Sequence, residues 1–322
     1  ALLSLIIDLK MYIYKNNDAI PWEACVATLG FFDGVHSGHR FLLNELIKTA
    51  HDEHKIAVVV TFDTHPRKVL NADFQPKLLT TLEEKTDLLD DVGIDACVVL
   101  NFTKEVSALS AYDFLKNILY EKLHVHTLLV GHDHRFGHNR AEGFAEYAAY
   151  GQELGINVIQ AAKYETGEYH HISSSTIRNA LHEGNIRLAN ELLTYPYIFS
   201  GKVIGGFQVG RKIGFPTANL QTEDKGKIIP GIGVYAVRVH LNNKQYKGMM
   251  NIGNRPTLQS DGETSLEVNI IDFEGDIYNR TLKIEFIDKI RDEMKFKSVQ
   301  DLTEQLEKDR ETVVNMDFIK ND

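Results

Sequence analysis

The sequence predicts an α/β fold with a doubly wound parallel sheet, followed by a small antiparallel β-barrel and a C-terminal helix. Three observations predict it. From Cys25 to about Leu193, short continuous apolar runs alternate with helix-periodic stretches, the pattern of repeated βαβ units whose sheet is covered on both faces. The texture changes at Thr194-Tyr195-Pro196, after which strand patterns succeed one another with few helices between them. One long helical stretch, about Ser298 to Arg310, follows those strands. A length of 322 residues fits two domains, which are placed at 11–193 and 195–322.

In the first half the apolar run Cys25–Leu29 leads through a glycine-rich turn into a helix, Arg40–Ala50. That helix carries Leu42, Leu43, Leu46, Ile47 and Ala50 on one face. Further strands are expected at Ile56–Phe62, Ala96–Leu100, Thr127–Val130 and Asn157–Ala161. Helices are expected between them at Leu82–Val92, Ala111–Tyr120 and Glu142–Leu154. Ligands of such sheets sit beyond the carboxyl ends of the strands. In the second half the strands are Phe199–Ile204, Val234–Leu241, Gln245–Ile252, Leu266–Phe273 and Thr281–Ile290, with Asn242-Asn243 as a hairpin signal. Hairpin-linked strands in this number close most readily as a small barrel.

Composition narrows the function classes. Hydrophobic residues at 43% and charged residues at 25% are ordinary for a soluble globular protein. A formal net charge of -10 argues against a non-specific grip on nucleic acid, so anionic ligands must be met by local donors. The only two cysteines, Cys25 and Cys97, lie in apolar runs and read as buried thiols, which fits a reducing cytoplasm. No apolar run reaches the length of a membrane span. The apolar start Leu2–Leu9 has no basic region before it and no small-residue cleavage site after it, which argues against a signal peptide, and Met11 is a candidate natural start. Nothing in the composition speaks to the oligomeric state.

The chemistry is expected first in Gly30-Phe31-Phe32-Asp33-Gly34-Val35-His36-Ser37-Gly38-His39-Arg40. A strand, a glycine turn and a helix start present free backbone N–H groups to a phosphate. Gly34 and Gly38 permit close approach, and His36 and His39, in an H-x-G-H arrangement, add donors where phosphoryl charge builds up. A tight turn with two exposed histidines is the plainer alternative, which this spacing in this context disfavours. Three further clusters fall on the same sheet edge: Thr61–Arg67 with Asp63, Gly131–Arg140 with Asp133, and the serine-rich turn Ser173–Arg178. The hydroxyls and helix-start amides of Ser174, Ser175 and Thr176 suit phosphate oxygens, although simple N-capping would use the same residues. His132, His134 and His138 match no zinc spacing and have no cysteine beside them. In the second half, Gly210–Leu220 contains Gly214, Thr217 and Asn219. The oxygens of Thr217 and Asn219 suit a hard cation such as Mg²⁺, and the glycines allow a flap over phosphates. Glu267 lies on the strand face opposite Leu266, Val268 and Ile270, where a merely solvated glutamate would also lie.

The first loop resembles the nucleotidyltransferase superfamily that transfers a nucleotide from ATP or CTP. From about Cys25 to Asp309 the whole chain resembles the bacterial bifunctional riboflavin kinase/FMN adenylyltransferase (FAD synthetase) family. The family's F-D-G-V-H-x-G-H loop corresponds to Phe32–His39, its serine-threonine turn to Ser174-Ser175-Thr176-Ile177-Arg178, its P-T-A-N motif to Pro216–Asn219, and its catalytic glutamate to Glu267. Thr64, His134 and Asn279 depart from residues usual in the family. The resemblance implies a Rossmann-like nucleotidyltransferase domain and a kinase barrel that use ATP, with Mg²⁺, to make FMN from riboflavin and FAD from FMN. It implies that His36, His39, Gly30, Phe32, Asp33, Gly34, Gly38, Asp63, Asp133, Ser174, Ser175, Thr176 and Arg178 serve the adenylyltransferase. It further implies that Gly214, Thr217 and Asn219 hold Mg²⁺·ATP in the kinase, that Glu267 is its base, and that Arg291 lies near the flavin. The partners expected are small-molecule substrates, with no nucleic acid and no membrane. Two alternatives stay open: another H-x-G-H nucleotidyltransferase, of phosphopantetheine or cytidylyl type, and a non-catalytic flavin or nucleotide sensor.

Overall fold

A computed structural model describes residues 10–16, 18–71, 73, 75, 77–132, 134–164, 172–205, 210, 213–222, 224–254 and 264–318. The chain divides into two compact units, Ala1–Pro76 with Thr80–Ile172, and Lys77–Leu79 with Ser173–Asp322.

The first unit is built on a six-stranded parallel sheet: β1 (Tyr12–Lys15), β2 (Cys25–Leu29), β3 (Ile56–Phe62), β4 (Ala96–Leu100), β5 (Val125–Val130) and β6 (Asn157–Gln160), in the order β1-β4-β3-β2-β5-β6. Every residue of β2 and of β4 is buried, as continuous apolar strands between two helical layers must be. The helices are α1 (Ser37–Asp52), α2 (Pro66–Leu70), α3 (Leu82–Val92), α4 (Lys104–Ala108), α5 (Ala111–Asp113) and α6 (Phe144–Leu154). The stretch expected as one helix over Ala111–Tyr120 is α5 running into a π-helical segment, Phe114–Tyr120. β1 was not legible as a strand because its residues are mostly exposed and lie at the sheet edge. Beside it, Trp22, the only tryptophan of the chain, donates its indole N–H to the Leu123 carbonyl (2.9 Å) and packs edge-on against Tyr14. Cys25 and Cys97 are free and buried, and burial pushes both thiols up to about 12.

The strand order places the reversal of winding between β2 and β5. Successive strands run from β2 outward to β4 on one side, and the chain then returns to build β5 and β6 on the other. The crevice beyond the carboxyl ends of the strands at such a reversal is where open α/β sheets bind ligands. The loop after β2 opens there, and so does the loop after β5.

The second unit is a closed antiparallel barrel: β7 (Tyr197–Ile204), β8 (Ala218–Gln221), β9 (Gly233–Leu241), β10 (Lys244–Asn254), β11 (Thr264–Ile270) and β12 (Thr281–Arg291), in the order β10-β11-β8-β7-β12-β9. Burial alternates strictly along β7, and Tyr197, Phe199, Tyr235 and Phe286 are fully buried. The β9–β10 hairpin turns at Asn242 (φ 52°) and Asn243 (φ 60°), two successive left-handed residues as a type I′ turn requires. α7 (Ser174–His182) and α8 (Ile186–Leu193) belong to this unit. α8 buries Ile186, Ala189, Leu192 and Leu193, and Asn190 ties it to the barrel by donating to the Phe286 carbonyl and accepting from the Tyr197 N–H. The C-terminal helix α9 (Val299–Asn315) is N-capped by Ser298 and buries Asp309 and Val313.

Candidate active sites

At the carboxyl end of β2 the backbone takes left-handed values at Phe32 (φ 54°), Gly34 (φ 83°) and Val35 (φ 36°) before α1 begins. For a β-branched residue such as Val35 this is a strained conformation that the surroundings must hold. They do so from α3's side: the Thr80 N–H and hydroxyl donate to Asp33 Oδ1 (3.1 and 3.3 Å), and the Gly34 N–H donates to Thr80 Oγ1 (3.1 Å). Phe32 and Asp33 are consequently buried. Gly30 is needed because a Cβ there would sit 2.9 Å from the Phe32 ring.

His36 is the N-cap of α1, its Nδ1 accepting from the His39 N–H (3.4 Å). The two imidazoles stack with centroids 3.6 Å apart and planes 16° from parallel. His39 is held well below its ordinary value of 6.5, first by burial and then by the charges of His36, His134 and Lys85. His134, in the loop after β5, is lowered to about 4 by burial and by Arg140. Among the described residues, His39 Nδ1, Ser37 Oγ and His134 Nε2 are buried with no hydrogen-bond partner. Buried polar atoms left in this state at a helix start point to an absent ligand. The α1 amides and the ring N–H groups of the imidazoles are suited to donate to the oxygens of a polyphosphate.

The other expected residues of this site are placed as follows. Asp63 follows β3 and accepts the Phe102 N–H (3.2 Å). Ser173 is the N-cap of α7 and accepts from the Thr176 N–H (3.2 Å), so Ser174, Ser175 and Thr176 form the first turn of that helix. Arg178 donates to the Lys77 carbonyl (2.7 Å). By compactness this turn belongs to the second unit. Asp133 lies outside the described residues, as do Arg211-Lys212, Arg255–Thr257 and His170-His171.

In the barrel, Glu267 on β11 stands opposite Asn219 on β8 and opposite Asn251 on β10. It is half-buried rather than solvated, and Thr217 Oγ1 donates to its Oε2 (3.3 Å). The Pro216–Asn219 segment is fixed from the same strand, where Asn269, buried two residues beyond Glu267, donates to the Pro216 carbonyl (2.8 Å). The preceding turn closes through the Ile213 and Phe215 N–H groups on the Gly210 carbonyl, with Gly214 left-handed at φ 83°. A side chain at Gly210 would collide with the Phe215 carbonyl. A hydroxyl, a carboxylate and two amide side chains thus gather on neighbouring strands, a hard-oxygen set that fits Mg²⁺. Arg291 is held in the barrel by Asp309 of α9, which its Nε and Nη2 grip at 2.8–3.1 Å.

Thr80, Lys85, Asn251 and Asn269 were not among the residues expected from sequence. Asn269 shares the Glu267 face, two residues on. Lys85 interrupts the buried stripe of α3 formed with Thr86, Leu88 and Leu89, and a charge in an apolar stripe is the signal that marks it.

Fold and site together define an α/β unit with a histidine loop at a helix start, and a closed barrel with a cluster of oxygen-bearing side chains. The first matches the family model for FAD synthetase over residues 19–176, and the second the model for riboflavin kinase over residues 193–316. Proteins named bifunctional riboflavin kinase/FMN adenylyltransferase are similar along most of the chain. The one from Escherichia coli strain K12 is 37% identical over 298 residues, covering 92% of this chain and 94% of its own. The one from Listeria monocytogenes is 39% identical over 287 residues, covering 89% and 90%. The one from Bacillus subtilis is 36% identical over 296 residues, covering 90% and 91%. A crystal structure from Streptococcus pneumoniae, described as a macrolide-efflux protein, superposes with a TM-score of 0.87 at 31% identity, covering 95% of this chain and all of that one. Among the described residues no helix is long and apolar enough to cross a membrane. The chain belongs to the bifunctional riboflavin kinase/FMN adenylyltransferase family.

Proposed function

We propose that this chain makes both flavin cofactors by two consecutive reactions on small-molecule substrates. The barrel transfers the γ-phosphoryl group of ATP to the 5′-hydroxyl of riboflavin, giving FMN and ADP. In the parallel-sheet unit a phosphate oxygen of FMN attacks the α-phosphorus of a second ATP. The bond to the bridging oxygen breaks, and FAD and pyrophosphate result. The observation that carries this reading is the presence, on one chain and in family order, of a stacked histidine pair at a helix start and a Thr217–Glu267–Asn219 cluster in a closed barrel.

The two reactions ask for different side chains. Riboflavin's hydroxyl must lose a proton, and Glu267 is the carboxylate placed to accept it. Thr217 steadies that carboxylate and, with Asn219, would hold Mg²⁺·ATP, the metal supplying charge neutralisation to the transferring phosphoryl group. FMN brings an anionic nucleophile and needs no base. Its site supplies alignment and donors for the growing negative charge, from His36, His39 and the α1 amides. Gly34 and Gly38 allow the approach. Two free, buried cysteines accord with an enzyme of the reducing cytoplasm.

Incubation with riboflavin, ATP and Mg²⁺, with the flavins separated by chromatography, tests the reading. FMN should accumulate first and FAD later. Cytidylyl or phosphopantetheine transfer in place of flavin turnover, or flavin binding without turnover, would reject it.

A further inference from the structure

Lys85 on α3 is only 3% exposed, although lysine is almost never buried to this degree. Its ammonium donates to the Phe31 carbonyl (3.1 Å), the Phe62 carbonyl (3.2 Å) and Thr61 Oγ1 (3.0 Å), and stands 4.4 Å from the centroid of the Phe31 ring. All three of its donors are therefore used. Thr61 in turn donates to the Phe31 carbonyl (3.2 Å). These partners are the last two residues of β3 and the second residue of the loop after β2. One helix position thus ties together the ends of two neighbouring strands directly beneath the histidine loop.

The loop needs such a tie. Phe32 and Val35 sit at left-handed φ values that cost free energy unless neighbouring groups hold them. Thr80 grips Asp33 and Gly34 from one side, and Lys85 grips Phe31 from the other. A polar tie is also a costly choice. Burial lowers Lys85 to about 8, against the upward pull of Cys97, Asp33 and Asp63. An apolar side chain in its place would remove the donor from three buried hydrogen bonds and destabilise the fold. The three bonds of Lys85 hold the start of the histidine loop to the end of β3.

We infer that Lys85 is a positioning residue for adenylyl transfer: it fixes the Phe31 carbonyl, and so the left-handed loop that presents His36, His39 and the α1 amides, in the form that meets the triphosphate. This rests on the reading of that loop as the FAD-forming site. Its charge also acts on His39 directly, favouring the neutral ring.

The test is Lys85→Met in the full chain, with Thr80→Val as a second variant that loosens the same loop from its other side. Three readouts are taken: melting temperature, riboflavin phosphorylation, and the kinetics of FAD formation from FMN and ATP. Lys85→Met should melt below the wild-type temperature, since three buried acceptors lose their donor, yet fold and phosphorylate riboflavin normally. Its kcat for FAD formation should fall about 10²-fold, the cost of a misplacement of about an ångström, while KM for FMN stays within a few-fold. Thr80→Val should show the same kcat-weighted loss, smaller in size. FAD formation at wild-type rate in Lys85→Met overturns the inference, and so does a loss confined to KM or a parallel loss of both activities. If Lys85→Met does not fold, an unaltered kcat in Thr80→Val overturns it. Wild-type protein that makes FMN but no FAD overturns the site reading itself, a different failure visible in the control.

Discussion

Replacing Glu267 with glutamine separates chemistry from structure in the barrel. Glutamine keeps the size of the side chain and still offers an oxygen to the Thr217 hydroxyl, a long bond of 3.3 Å at a half-exposed position. The change in stability should therefore stay within about 0.5 kcal/mol, the range of substitutions away from buried networks. The rate should not be spared. An amide cannot take the riboflavin proton, and general-base contributions of roughly 10²–10⁴ correspond to about 3–5 kcal/mol of barrier. The assay follows FMN formation under single-turnover conditions, with FMN adenylylation in the same preparation as internal control and a thermal melt beside it. The expected result is a kinase slowed by at least about 10²-fold, with adenylylation and melting temperature unchanged. A glutamine variant that phosphorylates riboflavin at near wild-type rate would remove Glu267 from the proton transfer and leave the barrel's chemistry to metal and alignment.

His36→Ala or His39→Ala should lower FAD formation by roughly 10²–10³, the effect of losing one transition-state donor, with kinase activity unchanged; equal losses would assign the loop to folding. Asp309→Ala leaves the Arg291 guanidinium without the carboxylate that grips it and should cost the barrel about 3–5 kcal/mol, read by denaturant unfolding. Acid should weaken the first unit through His134. Its folded value of about 4 lies below the ordinary 6.5, so the unfolded ring binds the proton first, and stability falls by up to about 1.4 kcal/mol per pH unit as pH drops through that window. His134→Phe should flatten this dependence in melts between those pH values. A fragment of residues 195–322 should make FMN but no FAD, and should melt below one of residues 173–322, which keeps the buried face of α8 and the Asn190 bonds; equal melting temperatures would count against a structural role for α8.

The main elements were legible because their periodicity and their core agree. The spans Ile56–Phe62, Ala96–Leu100 and Leu82–Val92 coincide with the observed β3, β4 and α3. What was not legible depends on partners distant in sequence. β1 takes its identity from pairing with β4, since its own residues are mostly exposed. The short strand β8 reads as a loop because two of its four residues are polar and Pro216 lies just before it, and only pairing with β7 and β11 makes it a strand. The histidine loop was legible as a motif because its residues are contiguous. Its supports, Thr80 and Lys85, were not, because they approach from an element more than forty residues away. The grip of Asp309 of α9 on Arg291 was likewise not legible, because the two residues lie on different elements.

Trp22 gives the chain an optical asymmetry. With the only indole of the sequence lodged against Leu123 and Tyr14 in the first unit, intrinsic tryptophan emission reports on that unit alone. The barrel is spectroscopically silent at the same wavelengths, its tyrosines contributing only under shorter-wave excitation. A tryptophan-detected melt compared with one detected by circular dichroism therefore distinguishes units that unfold together from units that unfold in turn, without labels and without cutting the chain.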